Sequence, residues 1–246
     1  MKSSTNAPVT TSSAATQPET AKASGTEPAG SASGATITGK VFFRGTAPSE
    51  KTIDMAADAA CKASHDTPVT TRHYVVGANG ELANVFVCVK EGLGSRTFAV
   101  PQRSVLDQKG CLYFPYVMGI QVNQELTILN SDPVLHNVHY FPNNNPEGNK
   151  GMPVQGMKFS VKFAKPELDA PVRFKCDVHP WMFAYVFVVS HPFFDVTRET
   201  GTFTLKGLPA GTYTIEAWHP KAGMLTNSVT VDDNETKEIT FEYKGP

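Results

Sequence analysis

After residue 35 this 246-residue chain is a succession of short runs in which large apolar side chains alternate with polar ones. Phe159, Val161 and Phe163 alternate with Lys158, Ser160 and Lys162, and Phe203 and Leu205 with Thr202, Thr204 and Lys206. Ile239, Phe241 and Tyr243 alternate with Glu238, Thr240 and Glu242. A two-residue period puts the apolar side chains of a run on one face of a strand, whereas a helix would scatter them around its axis. Turn chemistry separates the runs, at Asn79-Gly80, Thr200-Gly201, Pro209-Ala210-Gly211 and Asp232-Asp233-Asn234. One segment reads as a short helix, around Met55 to Lys62, with Asp54 placed to cap it. The pattern predicts an all-β chain built from sandwiches.

The strands do not divide evenly. About three precede residue 100, near Ile37 to Phe43, Tyr74 to Val76 and Val85 to Val89, and about four follow residue 195. Neither set reaches the roughly seven strands of a closed sandwich, but together they suffice. Residues 101–191 hold enough strands for a sandwich of their own. We therefore expect an outer sandwich in two parts, 36–100 and 192–246, with the 101–191 domain inserted as an excursion. Residues 1–35 are almost all Ser, Thr, Ala, Gly and Pro, bury too little to offset their ordering entropy, and read as a flexible tether. The opening Met1-Lys2-Ser3-Ser4-Thr5 has no apolar signal core, and a long polar leader suits a protein held at a membrane surface by something upstream of residue 1.

With 22 basic against 23 acidic residues, no basic stripe points to nucleic acid. No uninterrupted apolar stretch of about 18 residues points to a membrane span.

The chemistry concentrates in His136 and in Cys176-Asp177-Val178-His179-Pro180-Trp181-Met182, written C-x2-H-x2-M. One thiolate, two imidazoles and one thioether form the donor set in which copper exchanges an electron with little ligand movement. Zinc is the rival ion, but its sites rarely use a thioether. Singly, a buried Cys or Met is an ordinary core filler; their conjunction in this order, in an all-β setting, is not. Cys176 falls at the end of an expected strand, Val172 to Lys175, and Met182 just before another, Phe183 to Val189, so the loop is pinned at both ends. Pro180 stiffens it by fixing φ, and His136 arrives from a neighbouring strand.

Residues 104–190 resemble the cupredoxins. The features are Tyr113 to Gln124 leading into Leu126-Thr127-Ile128-Leu129-Asn130, then Asp132 and His136-Asn137, and finally the Cys176 loop, which is most similar to the short loop of the amicyanins. The resemblance implies a Greek-key β-sandwich, one type 1 copper held by His136, Cys176, His179 and Met182, and one-electron transfer between proteins in the periplasm or at the cell surface. It makes His179 the edge through which electrons pass, and Asn137 the residue that ties the two ligand segments together beside the thiolate. Trp181 and Pro180, with Pro133 and Pro142 on adjoining loops, would form a small apolar docking patch. Expected partners are redox proteins such as a c-type cytochrome, a membrane quinol-oxidising complex or a terminal oxidase. The near-neutral charge argues against strong electrostatic steering. An enzyme is not expected, because a multicopper oxidase needs further His-rich motifs and the seven histidines form none. Two alternatives stand beside the electron carrier: a copper carrier or storage protein, and a non-redox binding or scaffold subunit. Separately, Phe203 to Tyr213 and Thr36 to Pro48 resemble the carboxypeptidase regulatory-like (transthyretin-like) sandwich, which implies the second, outer β-sandwich.

Residues 143–154, rich in Asn, Gly and Pro, lengthen the stretch between the ligand segments beyond that of compact cupredoxins, and so cover or flank the site. Of the other cysteines, Cys88 reads as a buried free thiol within an apolar strand. Cys61 and Cys111 lie in turn-rich segments and are either two reduced thiols or a disulfide, which would staple the two domains and imply an oxidising compartment. His139 is expected to point out of its sheet or to lie at the rim of the site, and His65, His73, His191 and His219 show no ligand spacing.

Overall fold

The computed structural model describes residues 34–245, so the expected tether lies outside the described residues up to position 33. The first strand begins at Ala35, which is fully buried, one residue inside that tether. Four sheets follow, joined by three apolar layers.

In the first sheet Ala35–Arg44 lies between Thr202–Leu208, antiparallel, and Thr236–Lys244, parallel. Strands from both ends of the described chain therefore share one sheet. The second sheet runs Phe194–Val196, Phe86–Glu91, Gly211–His219, Gly223–Val231. Ile37, Val41, Leu205, Val87, Ile215 and Val229 fill the space between these two sheets. The third runs Val117–Gln121, Phe183–Val189, Glu167–Lys175, His136–Phe141, Gly148–Met152, and the fourth Tyr113–Phe114, Arg103–Gln108, Glu125–Asn130, Lys158–Val161. Leu106, Ile128, Val138, Phe174 and Val186 pack between them, and Cys176 and Met182 belong to the same core.

Two strands show how the halves meet. Val85, Val87 and Val89 face the first core, while Phe86 and Cys88 face the opposite way and meet Phe187 and Val189. Val186 and Val188 in turn face the second core. Continuous apolar runs are therefore strands buried on both faces. Phe86 and Phe187 stack across the join with centroids 4.1 Å apart and planes within 5°. Gly119 leaves room for this, since a Cβ there would lie 2.6 Å from the rings of both Phe86 and Phe194.

The segment before the first half's second strand departs from expectation. The helix is a single turn, Ala59–Ala63, capped by Asp58, whose carboxylate accepts the N–H groups of Ala60 at 2.9 Å and Cys61 at 3.0 Å. Asp54 instead accepts from Ala56 N–H, a local turn that competes with helix and delays it. Tyr74 to Val76 forms no strand, only the isolated bridge Val76↔Leu82, because the Asn79-Gly80 turn folds it back with Gly77 N–H on Glu81 O. Met55, Cys61, Ile53 and Val69, placed by sequence in the outer sandwich, pack instead into the core that contains Cys176. Among the described residues no helix is long and apolar enough to cross a membrane.

Candidate metal centre

Lys175 and Phe183 face each other across adjacent antiparallel strands, so Cys176 to Met182 is the loop between them. It is closed by Cys176 N–H on Met182 O at 3.2 Å and Met182 N–H on His179 O at 2.9 Å. His136 opens the strand on the other side of Glu167–Lys175. The Tyr113 hydroxyl lies 3.1 Å from Asn137 O and 3.2 Å from Lys175 O, tying together the segments that carry His136 and Cys176. In the corner so formed, His136 Nδ1 and His179 Nδ1 are 2.9 Å apart, with Cys176 Sγ 4.0 Å from the first and 3.7 Å from the second. Met182 is fully buried in the same core, and none of the four is more than 2% exposed.

The outer nitrogens of the two imidazoles point at carboxylates. His136 Nε2 is 2.9 Å from Asp132 Oδ2, and His179 Nε2 is 3.4 Å from Asp58 Oδ2. Asp132 is itself held by Gly110 N–H at 2.6 Å and Cys111 N–H at 2.8 Å. A carboxylate fixes the proton on Nε2 and leaves Nδ1 as the lone-pair nitrogen. Two Nδ1 lone pairs at 2.9 Å repel unless a cation or a proton lies between them. Three convergent donors of this kind, buried in a corner whose core also holds the Met182 thioether, fit a copper ion.

The electrostatics of the corner favour positive charge, which a proton or a metal cation can supply. Burial pushes the Cys176 thiol up, but His136 and the backbone N–H groups of Asn137, His179 and Val178 outweigh it and hold the group toward thiolate. Burial opposes charge on His136, yet Asp132 and Cys176 together raise it to about 9. At His179 burial dominates the pull of Asp58 and the imidazole stays below its ordinary range. Burial likewise opposes the Asp132 charge, but His136 and the two backbone N–H groups hold it ionised.

Asn137 sits beside the thiolate: its N–H is 3.5 Å from Cys176 Sγ, its Oδ1 accepts from Asp177 N–H, and its Nδ2 donates to Asp177 at 2.8 Å. Pro180 is exposed within the ligand loop. His139 lies at the rim, half-buried, 3.0 Å from Asp177 Oδ2 and 2.7 Å from Glu147 Oε1. The 143–154 stretch flanks the site, because Gly148–Met152 pairs with the His136 strand and sets buried Met152 opposite His136.

The docking patch is corrected in three places. His179 is not an exposed edge: the 51–72 segment covers it, with Asp58 and Cys61 Sγ, 3.5 Å away, against its outer nitrogen. Trp181 turns inward, its indole N–H donating to Cys111 O at 3.0 Å and its ring 5.2 Å from that of His179. Pro142 follows the far end of the His136–Phe141 strand, about 20 Å from His136 at roughly 3.3 Å per residue. Pro133 alone of the flanking prolines is exposed near the site, with Leu135 and Val178.

Cys61 and Cys111 are joined by a disulfide, and Cys88 is a buried free thiol whose pKa burial raises. Asp132 stands four residues before His136, a spacing that sequence alone could have flagged as a ligand-orienting carboxylate. Asp58 carried no such signal, since 121 residues separate it from His179.

A scan against protein-family models finds no match, and a search of curated proteins finds none. Among solved structures, the chain is similar to a copper-containing nitrite reductase from Thermus scotoductus SA-01, at 18% identity and TM-score 0.32, over 39% of this chain and 24% of that one. It is also similar to a reduced mutant of amicyanin, at 22% identity and TM-score 0.31, over 37% of this chain and 85% of that one. A purple cupredoxin from Nitrosopumilus maritimus aligns at 22% identity and TM-score 0.29, over 36% of this chain and 99% of that one.

Proposed function

We propose that this chain binds one type 1 copper ion and carries single electrons between redox proteins outside the cytoplasm. The observation that supports this best is the convergence of two Nδ1 atoms and one thiolate sulfur, within 2.9–4.0 Å of one another, in a corner closed to solvent. His136, Cys176 and His179 would hold the ion, with Met182 as the weak fourth donor. Copper bound there supplies a one-electron couple. The chain's part is to keep its donors still: the loop is pinned by strands at both ends, Asn137 N–H faces the sulfur, and Asp132 and Asp58 orient the rings. Burial of all four residues favours a resident ion over a delivered one, and so the electron carrier over a copper carrier or store.

A disulfide among the described residues suits a periplasmic or cell-surface location, with the leader as tether. In this reading 101–191 is the copper domain, and 36–100 with 192–246 is an outer sandwich that positions it, less the 51–72 segment that caps the site. The partner would be a c-type cytochrome, a quinol-oxidising complex or a terminal oxidase. The decisive test is the visible spectrum of the Cu(II)-loaded protein and of Cys176→Ala. An intense thiolate-to-copper band lost in the variant is expected; a colourless copper protein, or preference for zinc, would overturn the reading.

A further inference from the structure

The cap over His179 carries its own donor set. Cys61 Sγ, Cys111 Sγ and a His179 ring nitrogen lie within 4.8 Å of one another, all in buried residues. Cys61 Sγ is 3.5 Å from His179 Nε2, the nitrogen that faces away from the copper donors, and Asp58 Oδ2 reaches the same nitrogen at 3.4 Å. We propose that opening the Cys61–Cys111 disulfide turns this corner into a second metal site for a closed-shell thiophilic cation, Zn2+ or Cu+, with two thiolates and His179 Nε2 as ligands and Asp58 as a fourth donor. Zn2+ takes two thiolates with imidazole and carboxylate readily, and Cu+ would be held by the two thiolates and the imidazole.

The chemistry balances with a dithiol as reductant. The S–S bond breaks, the cystine gains two electrons and two protons, and the dithiol closes to its own disulfide. The incoming cation then displaces the two thiol protons to solvent, and the His179 proton moves from Nε2 to Nδ1, where His136 Nδ1 lies 2.9 Å away to accept it.

The placement of the cysteines does not depend on the bond between them. The Cys61 backbone is held by the Asp58 cap and by the Ser64 hydroxyl on Cys61 O at 2.6 Å. The Cys111 backbone is held by Asp132 and by the Trp181 indole. His65 Nε2, donating to Gly110 O at 2.7 Å, clamps the two segments to each other. The Cα atoms are 5.5 Å apart. Tetrahedral ligation with about 2.3 Å metal–sulfur bonds needs sulfurs roughly 3.8 Å apart, within reach of side-chain rotation alone.

The second site does not need the first ion, and His179 offers one lone pair at a time, so the test removes the first site. Full-length Cys176→Ala is reduced with dithiothreitol, desalted anaerobically and titrated with Co2+ as a probe of tetrahedral thiolate ligation. One equivalent is expected to bind, with thiolate charge-transfer and tetrahedral ligand-field bands. None should bind tightly to the oxidised protein, and affinity should fall at least 100-fold when Cys61→Ser is added. Absence of the bands in reduced protein with native near-UV circular dichroism would overturn the proposal. So would loss of that native signal on reduction, or bands that survive Cys61→Ser.

Discussion

Asp132→Asn tests how the site selects its donor atoms. The two oxygens of Asp132 receive three N–H groups, from Gly110 at 2.6 Å, Cys111 at 2.8 Å and His136 at 2.9 Å. Asparagine keeps the shape but offers one acceptor, so its amide NH2 must face at least one of these donors. Turned toward Gly110, it leaves a backbone donor unpaired, at about 1–3 kcal/mol. Turned toward His136, it drives the imidazole proton to Nδ1, the atom meant for the metal. The oriented partners of ligating histidines are typically worth about 10–100-fold in metal affinity, or roughly 1.4–2.8 kcal/mol at 1.4 kcal/mol per decade. Competition for copper against a chelator of known affinity, with near-UV circular dichroism to confirm the fold, reads this directly. A natively folded variant that holds copper within twofold of the parent and loses less than about 1 kcal/mol of stability would refute the argument, since one orientation of the amide must cost affinity and the other a backbone hydrogen bond.

Two further predictions concern stability. Phe187→Ala removes one ring of the stacked pair at the junction of the second and third sheets and should cost about 3–5 kcal/mol in denaturant unfolding; a loss below about 1 kcal/mol would mean that the ring carries little of the junction. His191 and His219 are 5% and 1% exposed, and burial lowers each to about 4. A folded-state pKa below the ordinary 6.5 means that the unfolded chain binds the proton first. The stability each provides is therefore complete above about pH 7 and is lost as pH falls from 6.5 toward 4. At about 1.4 kcal/mol per unit, each should account for roughly 2 kcal/mol of destabilisation between pH 7.5 and pH 5. Replacing His191 with Gln should remove that share from urea unfolding measured at the two pH values; an unchanged pH dependence would show that His191 does not stay neutral in the fold.

The period-2 runs were legible because an antiparallel sheet with one dry face imposes alternation on the sequence directly. Lys158–Val161 and Thr202–Leu208 were therefore readable from alternation, whereas Phe183–Val189, which pins the Cys176 loop, was readable as a continuous apolar run buried on both faces. The helix and the supposed Tyr74 strand were misread where two local hydrogen-bonding options compete, at Asp54 against Asp58 and at the Asn79-Gly80 turn. Nothing local distinguishes Met55 and Cys61 as part of the second core, since the partners they bury against lie far along the chain.

By itself, the sequence determined the all-β class and the placing of Cys176 to Met182 as a loop between two strands, because both follow from spacing along a short stretch of backbone. Which nitrogens converge, and whether His179 meets solvent, were decided only by tertiary structure. The Cys61–Cys111 disulfide and Asp58 bring a segment more than 100 residues distant over that ring. Burial is a property of what covers a residue, and the covering chain need not be its neighbour in sequence.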